Sequence, residues 1–221
     1  MERMIGLTAA DGHRLQAYEA APAGTARGGV VVVQEIFGVN DHIRRVADGY
    51  AADGYRVIAP ALFDRVRPGI ELGYTDADIA EGRKIRGQLT FEQALADVEA
   101  ARKALGDGNV GIVGYCWGGT VTWLAAARLS GFAAAASYYG GGIGQFAPEH
   151  PRCPTQCHFG EKDHAIPLTE VAAVRDANPA VEVYTYPAGH GFNCDERSSY
   201  SAKDAHLALE RSIEFLNEQL A

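Results

Sequence analysis

The chain has 221 residues, of which 47% are hydrophobic and 22% are charged. These proportions are those of an ordinary globular protein and exclude an intrinsically disordered chain. The formal net charge of −8 leaves no basic face for the phosphates of a nucleic acid or for an anionic membrane. The N-terminus has no apolar run of signal-peptide length, and no segment approaches the roughly 20 apolar residues of a membrane span. We therefore expect one cytoplasmic domain over residues 1–221, with no nucleic-acid or membrane partner.

The use of cysteine indicates the same compartment. The chain has four cysteines, which are too few for a disulfide scaffold at this length: Cys116, Cys153, Cys157 and Cys194. A reducing environment is therefore expected. Each thiol has to be interpreted separately, as a core residue, a metal ligand or a nucleophile.

Short runs of β-branched residues alternate along the chain with segments of helical periodicity. Strands are predicted at Gly29–Gln34, Tyr55–Ala59, Asn109–Val113, Ala133–Tyr138, Thr155–Phe159 and Val181–Tyr186. Helices are predicted from a cap at Asn40 or Asp41 to Gly54, over about Asp76–Arg86, from a capping box at Thr90 and Gln93, over Gly118–Leu129 and over about Ser201–Leu220. This alternation implies right-handed crossovers and a mostly parallel central sheet with helices on both faces. The predicted fold class is α/β.

The segment VGIVGYCWGG, residues 110–119, leads a strand through Gly-x-Cys-x-Gly directly into a helix. This is the nucleophile-elbow pattern, with Cys116 in the place of serine. The strained turn leaves no room for side chains two residues before and two after the nucleophile, and Gly114 and Gly118 meet that requirement. The turn also directs helix N-terminal N–H groups at the reacting atoms, which favours a thiolate and stabilises an oxyanion. A buried cysteine in a tight connection is the structural alternative.

An acid and a histidine follow the cysteine, each in a loop after a later strand. Asp163 lies in the loop after Thr155–Phe159, and His190 lies between two glycines in the loop after Val181–Tyr186. Cysteine, aspartate and histidine in this order form the set that an elbow nucleophile requires. His164 is a less suitable base, because it directly follows the acid in the chain. The remaining histidines lack the post-strand glycine context.

Two other interpretations are open at this point. Cys153-x3-Cys157 and His190-x3-Cys194 supply ligand types that zinc accepts, although the spacing is unusual. A non-catalytic protein that binds small molecules is the second alternative, because a fold does not determine a function.

Four segments together are similar to the dienelactone hydrolases, or carboxymethylenebutenolidases. They are QEIFGVN at residues 34–40, GYCWGG at 114–119, Asp163-His164, and GHGF at 189–192. The resemblance extends from about Asp11 to the last predicted helix. It implies the α/β-hydrolase fold without a large cap domain, and the cleavage of a small lactone or carboxylic ester. It implies no cofactor and no metal.

The resemblance also implies the roles of individual residues. Cys116 is then the nucleophile, His190 the base and Asp163 its orienting partner, while the backbone N–H groups of Ile36 and Trp117 form the oxyanion hole. Glu35 matches the glutamate that contacts the resting thiol in the family. A carboxylate beside a thiol disfavours the thiolate, so Glu35 could keep the nucleophile inactive until substrate binding moves it. A helix-entry residue or a partner of Arg44 or Arg45 is the alternative role for Glu35.

The expected substrate contacts depart from the family pattern. The characterised dienelactone hydrolases hold the substrate carboxylate with two arginines, and Cys194 and a position near Ile79 stand at those places here. Arg83, Arg86 and Arg197 are the candidates to replace them. Phe37 and Phe192 are the expected apolar contacts of the substrate. A monomer or a small homo-oligomer is expected.

Overall fold

The computed structural model describes residues 2–106 and 108–221, in which a single sheet has helices packed around it. Its strands are β1 (Glu2–Thr8), β2 (Arg14–Ala20), β3 (Gly29–Val33), β4 (Arg56–Pro60), β5 (Val110–Tyr115), β6 (Ala134–Tyr138), β7 (Thr155–Gly160) and β8 (Glu182–Tyr186). Its α-helices are α1 (Asp41–Ala52), α2 (Asp76–Arg86), α3 (Phe91–Ala104), α4 (Trp117–Arg128), α5 (Leu168–Ala177) and α6 (Ala202–Gln219). Two short 3-10 helices lie at Leu62–Arg65 and Ile143–Phe146.

The sheet has the strand order β1-β2-β4-β3-β5-β6-β7-β8. The pairs β1/β2 and β2/β4 are antiparallel, and all pairs from β4/β3 to β7/β8 are parallel. Helices can connect parallel strands only by crossing a face of the sheet, which explains why every residue of β3, β5 and β6 is buried. The α/β class predicted from the sequence is confirmed.

Most of the predicted elements are present. Asn40 caps α1, since its side chain accepts a hydrogen bond from the backbone of Ile43. Thr90 and Gln93 form the predicted capping box of α3. Pro60 ends β4 as its last residue, and Trp117 rather than Gly118 begins α4.

The hairpin β1–β2 and helix α5 were absent from the predictions. The β1 and β2 strands contain polar and charged residues, and they pair at an antiparallel edge, where one face can be exposed to water. Helix α5 buries only Val171 and Val174, so its apolar periodicity is too weak to stand out in the sequence.

The parallel strands all end at one edge of the sheet, which is where ligands bind in open α/β sheets. The loops that follow β3, β5, β7 and β8 therefore meet there, and they carry Glu35, Cys116, Asp163 and His190 in that order. Within the described part of the chain, none of the helices combines the length and the apolar character needed to span a membrane.

Candidate active site

Cys116 occupies the turn between β5 and α4, as the N-cap residue of that helix. Its φ of 55° lies in the left-handed region, which residues other than glycine rarely adopt. The Cys116 N–H donates a hydrogen bond of 3.0 Å to the carbonyl of Tyr138, at the end of β6. This strained turn is thus anchored to the sheet, and strain of this kind is typical of functional sites.

Two glycines make the turn possible. A Cβ on Gly114 would lie 2.1 Å from the carbonyl oxygen of Gly118, and one on Gly118 would lie 2.4 Å from the carbonyl oxygens of Val33 and Gln34. Backbone atoms cannot shift far enough to relieve contacts this short. The glycine requirement inferred from the sequence is therefore confirmed, and the first turn of α4 packs directly against the end of β3.

Three side chains form a hydrogen-bonded relay above this turn. Nε2 of His190 lies 3.2 Å from Sγ of Cys116, and Nδ1 of His190 lies 2.7 Å from Oδ2 of Asp163. The other carboxylate oxygen of Asp163 accepts a hydrogen bond of 2.8 Å from the backbone N–H of Ala165. Because a carboxylate accepts only, Nδ1 carries the proton of His190 and Nε2 is directed at the sulfur.

The loop after β8 is held in place around His190. The Ser199 hydroxyl donates to the His190 carbonyl, and the ring of Tyr139 contacts the imidazole edge-on, with ring centroids 5.3 Å apart. The Asp163 side chain is fully buried, whereas 21% of the His190 side chain is exposed. The imidazole is thus held in place by its neighbours, and part of its surface remains accessible to small molecules.

Opposing effects act on the charge of His190. Burial lowers its pKa, but the Cys116 sulfur and the hydrogen bond to Asp163 raise it more, so the pKa rises to about 10. An imidazolium beside a sulfur favours the thiolate. The arrangement therefore places a histidine that can carry a proton directly beside the Cys116 sulfur, a geometry that suits nucleophilic catalysis.

Two backbone N–H groups at the carboxyl edge of the sheet have no hydrogen-bond acceptor among the described residues. Trp117 is the first residue of α4, where N–H groups have no partner inside the helix. Across residues 2–106 and 108–221, the N–H of Ile36 has no hydrogen-bond acceptor either. The contact between Gly118 and the end of β3 brings the two segments together.

Glu35 is fully buried, but it does not make the contact implied by the resemblance. One of its oxygens pairs with Nη1 of Arg197 at 3.3 Å, and the other accepts a hydrogen bond of 3.1 Å from the Tyr74 hydroxyl. The Cys116 thiol is directed at His190 instead. The partners of Glu35 are thus Arg197 and Tyr74, and not Arg44, which pairs with Glu71, or Arg45, which pairs with Asp195 and Glu196.

Arg197 lies beside this centre, whereas Arg83 is exposed on α2. The guanidinium of Arg197 stacks over the ring of Phe37, 5.9 Å from its centroid. Burial lowers the pKa of Arg197, but Glu35 and then Cys116 raise it more, and the net shift is upward. Arg197 therefore stays a cation near the Cys116 sulfur.

The structure does not fit the expectation that Phe37 and Phe192 contact a substrate. Phe37 is 1% exposed and packs on Tyr74, and Phe192 is fully buried against Tyr139 and Tyr186. A side chain without accessible surface cannot touch a ligand. The two rings support the loops that carry Arg197 and His190.

Sequence patterns assign no role to Tyr74 or Tyr139. Tyr74 lies in the irregular segment before α2, and its pKa is raised, first by burial and then by Glu35. The Tyr139 hydroxyl is buried without a hydrogen-bond partner among the described residues. No local pattern marks either residue, since both depend on how the loops converge.

A metal-ligand set different from the predicted zinc alternative lies near the site. Within residues 2–106 and 108–221, the ligand atoms that come within 4.8 Å of one another belong to Glu35, His42 and Cys194. The proposed quartet of Cys153, Cys157, His190 and Cys194 is not brought together. Cys157 is fully buried in β7, where burial raises its pKa to about 12.

Known proteins are similar to this chain in both sequence and fold. Residues 15–220 match the model of the Dienelactone hydrolase family. The carboxymethylenebutenolidase of Pseudomonas putida is 34% identical over 225 residues, which cover 96% of this chain and 94% of that protein. A Synechocystis sp. protein assigned as a carboxymethylenebutenolidase is 37% identical over 212 residues, covering 86% of both chains.

The fold is similar to that of a Klebsiella pneumoniae protein assigned as a dienelactone hydrolase. The TM-score is 0.81 at 32% identity, with 96% of this chain and 98% of the other covered. Strand order, elbow and sequence agree in one assignment: the chain belongs to the dienelactone hydrolase family, has the α/β-hydrolase fold and is a hydrolase.

Proposed function

We propose that this hydrolase cleaves a small lactone or carboxylic ester through a Cys116–His190–Asp163 triad and a thioester intermediate. The observation that carries the proposal is the relay in which His190 bridges the Cys116 sulfur and the Asp163 carboxylate, at 3.2 and 2.7 Å. These distances lie within reach of proton transfer between the nucleophile and its base.

The reaction begins with the Cys116 thiolate attacking the substrate carbonyl carbon. The carbonyl oxygen becomes an oxyanion, which the N–H groups of Ile36 and Trp117 stabilise. The tetrahedral intermediate then expels the alkoxide, which takes the proton from Nε2 of His190 as it leaves. In a lactone, this step opens the ring and leaves an acyl thioester on Cys116.

Water completes the cycle. Nε2 of His190, now neutral, accepts a proton from the water molecule that attacks the thioester carbonyl. The carboxylic acid is released and the Cys116–His190 pair is restored. Asp163 keeps its hydrogen bond to Nδ1 throughout and stabilises the imidazolium.

Arg197 adds a preference for substrates that carry a carboxylate. Its guanidinium is a fixed cation beside the nucleophile, and it is held by Glu35 at 3.3 Å. A substrate carboxylate that competes for Arg197 would loosen Glu35, which is a route for the glutamate to respond to substrate. Arg83 remains a second candidate only if α2 moves, because its side chain is exposed.

A cytoplasmic location is part of the proposal. A cysteine nucleophile has to remain reduced, and cytosolic thiols are kept so. The four cysteines of the described structure are all free.

The test is the hydrolysis of p-nitrophenyl acetate and of a dienelactone by the purified protein and its Cys116→Ala variant. We expect Cys116→Ala to lower kcat/KM by at least about 10³-fold. Rapid acid quench and mass spectrometry should detect the acyl adduct on the parent protein, in the peptide that contains Cys116.

A matched control is Cys153→Ala, which removes another partly buried thiol and should leave turnover unchanged. Equal turnover by Cys116→Ala and the parent would contradict the proposed nucleophile. Binding of esters without any turnover by the parent would favour the non-catalytic alternative.

A further inference from the structure

A second group of chemically capable side chains lies buried beside the proposed nucleophile. It consists of Glu35 in the loop after β3, His42 in the first turn of α1 and Cys194 in the loop after β8. All three are buried, and one ligand atom of each lies within 4.8 Å of those of the other two. The proposed ester hydrolysis assigns no step to His42 or Cys194.

The orientation of His42 is the second observation. Its Nδ1 lies 3.2 Å from Oδ1 of Asp195, so this nitrogen carries the proton. Its Nε2 is buried and has no hydrogen-bond partner within the described chain, although the residue is only 4% exposed. A metal-bound histidine usually has a carboxylate that fixes its tautomer in this way and leaves the other nitrogen free for the metal.

The charges of the cluster suit a divalent cation. Glu35 carries a negative charge that the guanidinium of Arg197 offsets. Burial and then Glu35 raise the pKa of the Cys194 thiol to about 12, so Cys194 supplies a second negative charge only when it deprotonates on the metal. A carboxylate has about four lone-pair positions, so Glu35 can keep its bonds to Arg197 and Tyr74 and still accept a metal ion. One uncompensated negative charge then faces the cation.

We propose that Glu35, His42 and Cys194 form a binding site for Zn²⁺, with Oε of the glutamate, Nε2 of the histidine and Sγ of the cysteine as ligands. One oxygen, one imidazole nitrogen and one thiolate are a donor set that zinc accepts, and three protein ligands leave a fourth position for water or another small ligand. On binding, the Cys194 thiol loses its proton to solvent and the sulfur lone pair forms the bond to the metal.

The three ligand atoms need to come only slightly closer together to bind one metal ion. Ligands of tetrahedral zinc lie roughly 3.5 Å apart, so side chains now within 4.8 Å must move together by about 1 Å. A surface cavity of about 310 Å³ lies beside the cluster and is lined in part by His42, Asn193 and Asp195. Metal binding at this site is independent of the proposed ester hydrolysis, because it can be measured in a catalytically inactive protein.

The experiment is a titration of the Cys116→Ala variant with Zn²⁺ and, separately, with Co²⁺. The substitution removes the sulfur of the Cys116–His190 pair, which would otherwise be a competing metal site. We expect one Zn²⁺ per chain by calorimetry. With Co²⁺ we expect a thiolate-to-metal charge-transfer band in the near ultraviolet.

Further substitutions in the same Cys116→Ala background identify the ligands. Cys194→Ser should abolish the charge-transfer band, and His42→Ala should weaken Zn²⁺ binding by at least about 100-fold. Asp195→Asn should weaken it about 10- to 100-fold through the orientation of His42. Because the Asp195 side chain is 53% exposed, this variant keeps the test valid if the buried variants do not fold.

His206→Ala is the matched control, because His206 is an exposed histidine that pairs with Glu210 on α6. It should change Zn²⁺ affinity by less than about twofold. Zn²⁺ binding that survives Cys194→Ser and Asp195→Asn unchanged would overturn the site. A Co²⁺ complex without the charge-transfer band would overturn it as well.

Discussion

His158 lies within β7 and His190 lies in the loop that follows the neighbouring strand β8, yet their surroundings are opposite in kind. His158 lies inside β7, fully buried, and its ring stacks on those of Tyr138, Tyr184 and Tyr186 with centroids 4.5, 5.5 and 5.8 Å away. Its nitrogens meet only hydroxyls, of Tyr186 at 2.8 Å and of Ser212 at 3.2 Å. His190 instead lies between a carboxylate and a sulfur.

The charge of the neighbours decides which histidine can take up a proton. Burial first, and then the charge of Arg211, lower the pKa of His158 to about 3. Burial acts in the same direction on His190, but Cys116 and Asp163 reverse its effect and raise the pKa to about 10. A neutral histidine in an aromatic stack stabilises the fold, whereas a histidine with an anion on either side can carry a catalytic proton.

The largest effect that would test this contrast is the loss of activity in His190→Ala. We expect kcat/KM for p-nitrophenyl acetate to fall at least about 10³-fold. The imidazole both accepts the proton of the Cys116 thiol and donates a proton to the leaving oxygen. His164→Ala is the matched control, since it removes the neighbouring exposed histidine, and it should retain activity. If both variants were equally active, the assignment of His190 would be wrong.

A change of stability is expected for the other histidine. His158→Ala removes a ring packed among three tyrosines and should lower the free energy of unfolding by about 3 kcal/mol, measured in urea. His158→Phe keeps the stacked ring and should cost only about 1 kcal/mol, because Tyr186 and Ser212 retain other partners, Arg211 and Tyr138. A large loss of kcat in His158→Phe with unchanged stability would contradict a purely structural role.

The smallest effect is on the pH dependence of stability. The pKa of His158 is about 3 in the folded protein and about 6.5 when unfolded, so its contribution is complete above pH 6.5 and is lost toward pH 3. The pKa of His190 is raised, so its contribution is complete below pH 6.5 and is lost toward pH 10. Each slope is at most about 1.4 kcal/mol per pH unit.

Urea unfolding over a pH series separates the two histidines. His158→Phe should flatten the acid side of the stability profile, and His190→Ala should flatten the alkaline side. A parallel shift of the whole profile in either variant would show that the histidine does not titrate differently in the folded and unfolded states.

Local sequence patterns were sufficient for the elbow and for most of the parallel sheet. A Cβ on Gly114 would lie 2.1 Å from backbone of the same strand–turn–helix unit, whereas one on Gly118 would lie 2.4 Å from the end of β3. Both glycines are still visible in ten consecutive residues, because the elbow pattern places them two residues before and two after the cysteine. Buried strands such as β3 are visible for a similar reason, because burial on both faces produces an unbroken apolar run. The β1–β2 hairpin carries no such run, since it lies at the edge.

The surroundings of Glu35 depended instead on how distant loops meet. The residue is 39 positions from Tyr74 and 162 positions from Arg197 along the chain, and both contact its carboxylate. His42 and Cys194 converge on the same carboxylate from α1 and from the loop after β8.

The sequence by itself determined the class of fold and the order of cysteine, aspartate and histidine, because steric and periodic rules act over a few residues. Only the tertiary structure decided which charges and ligands face one another, because parallel strands gather their carboxyl-end loops at one edge whatever their separation in the chain.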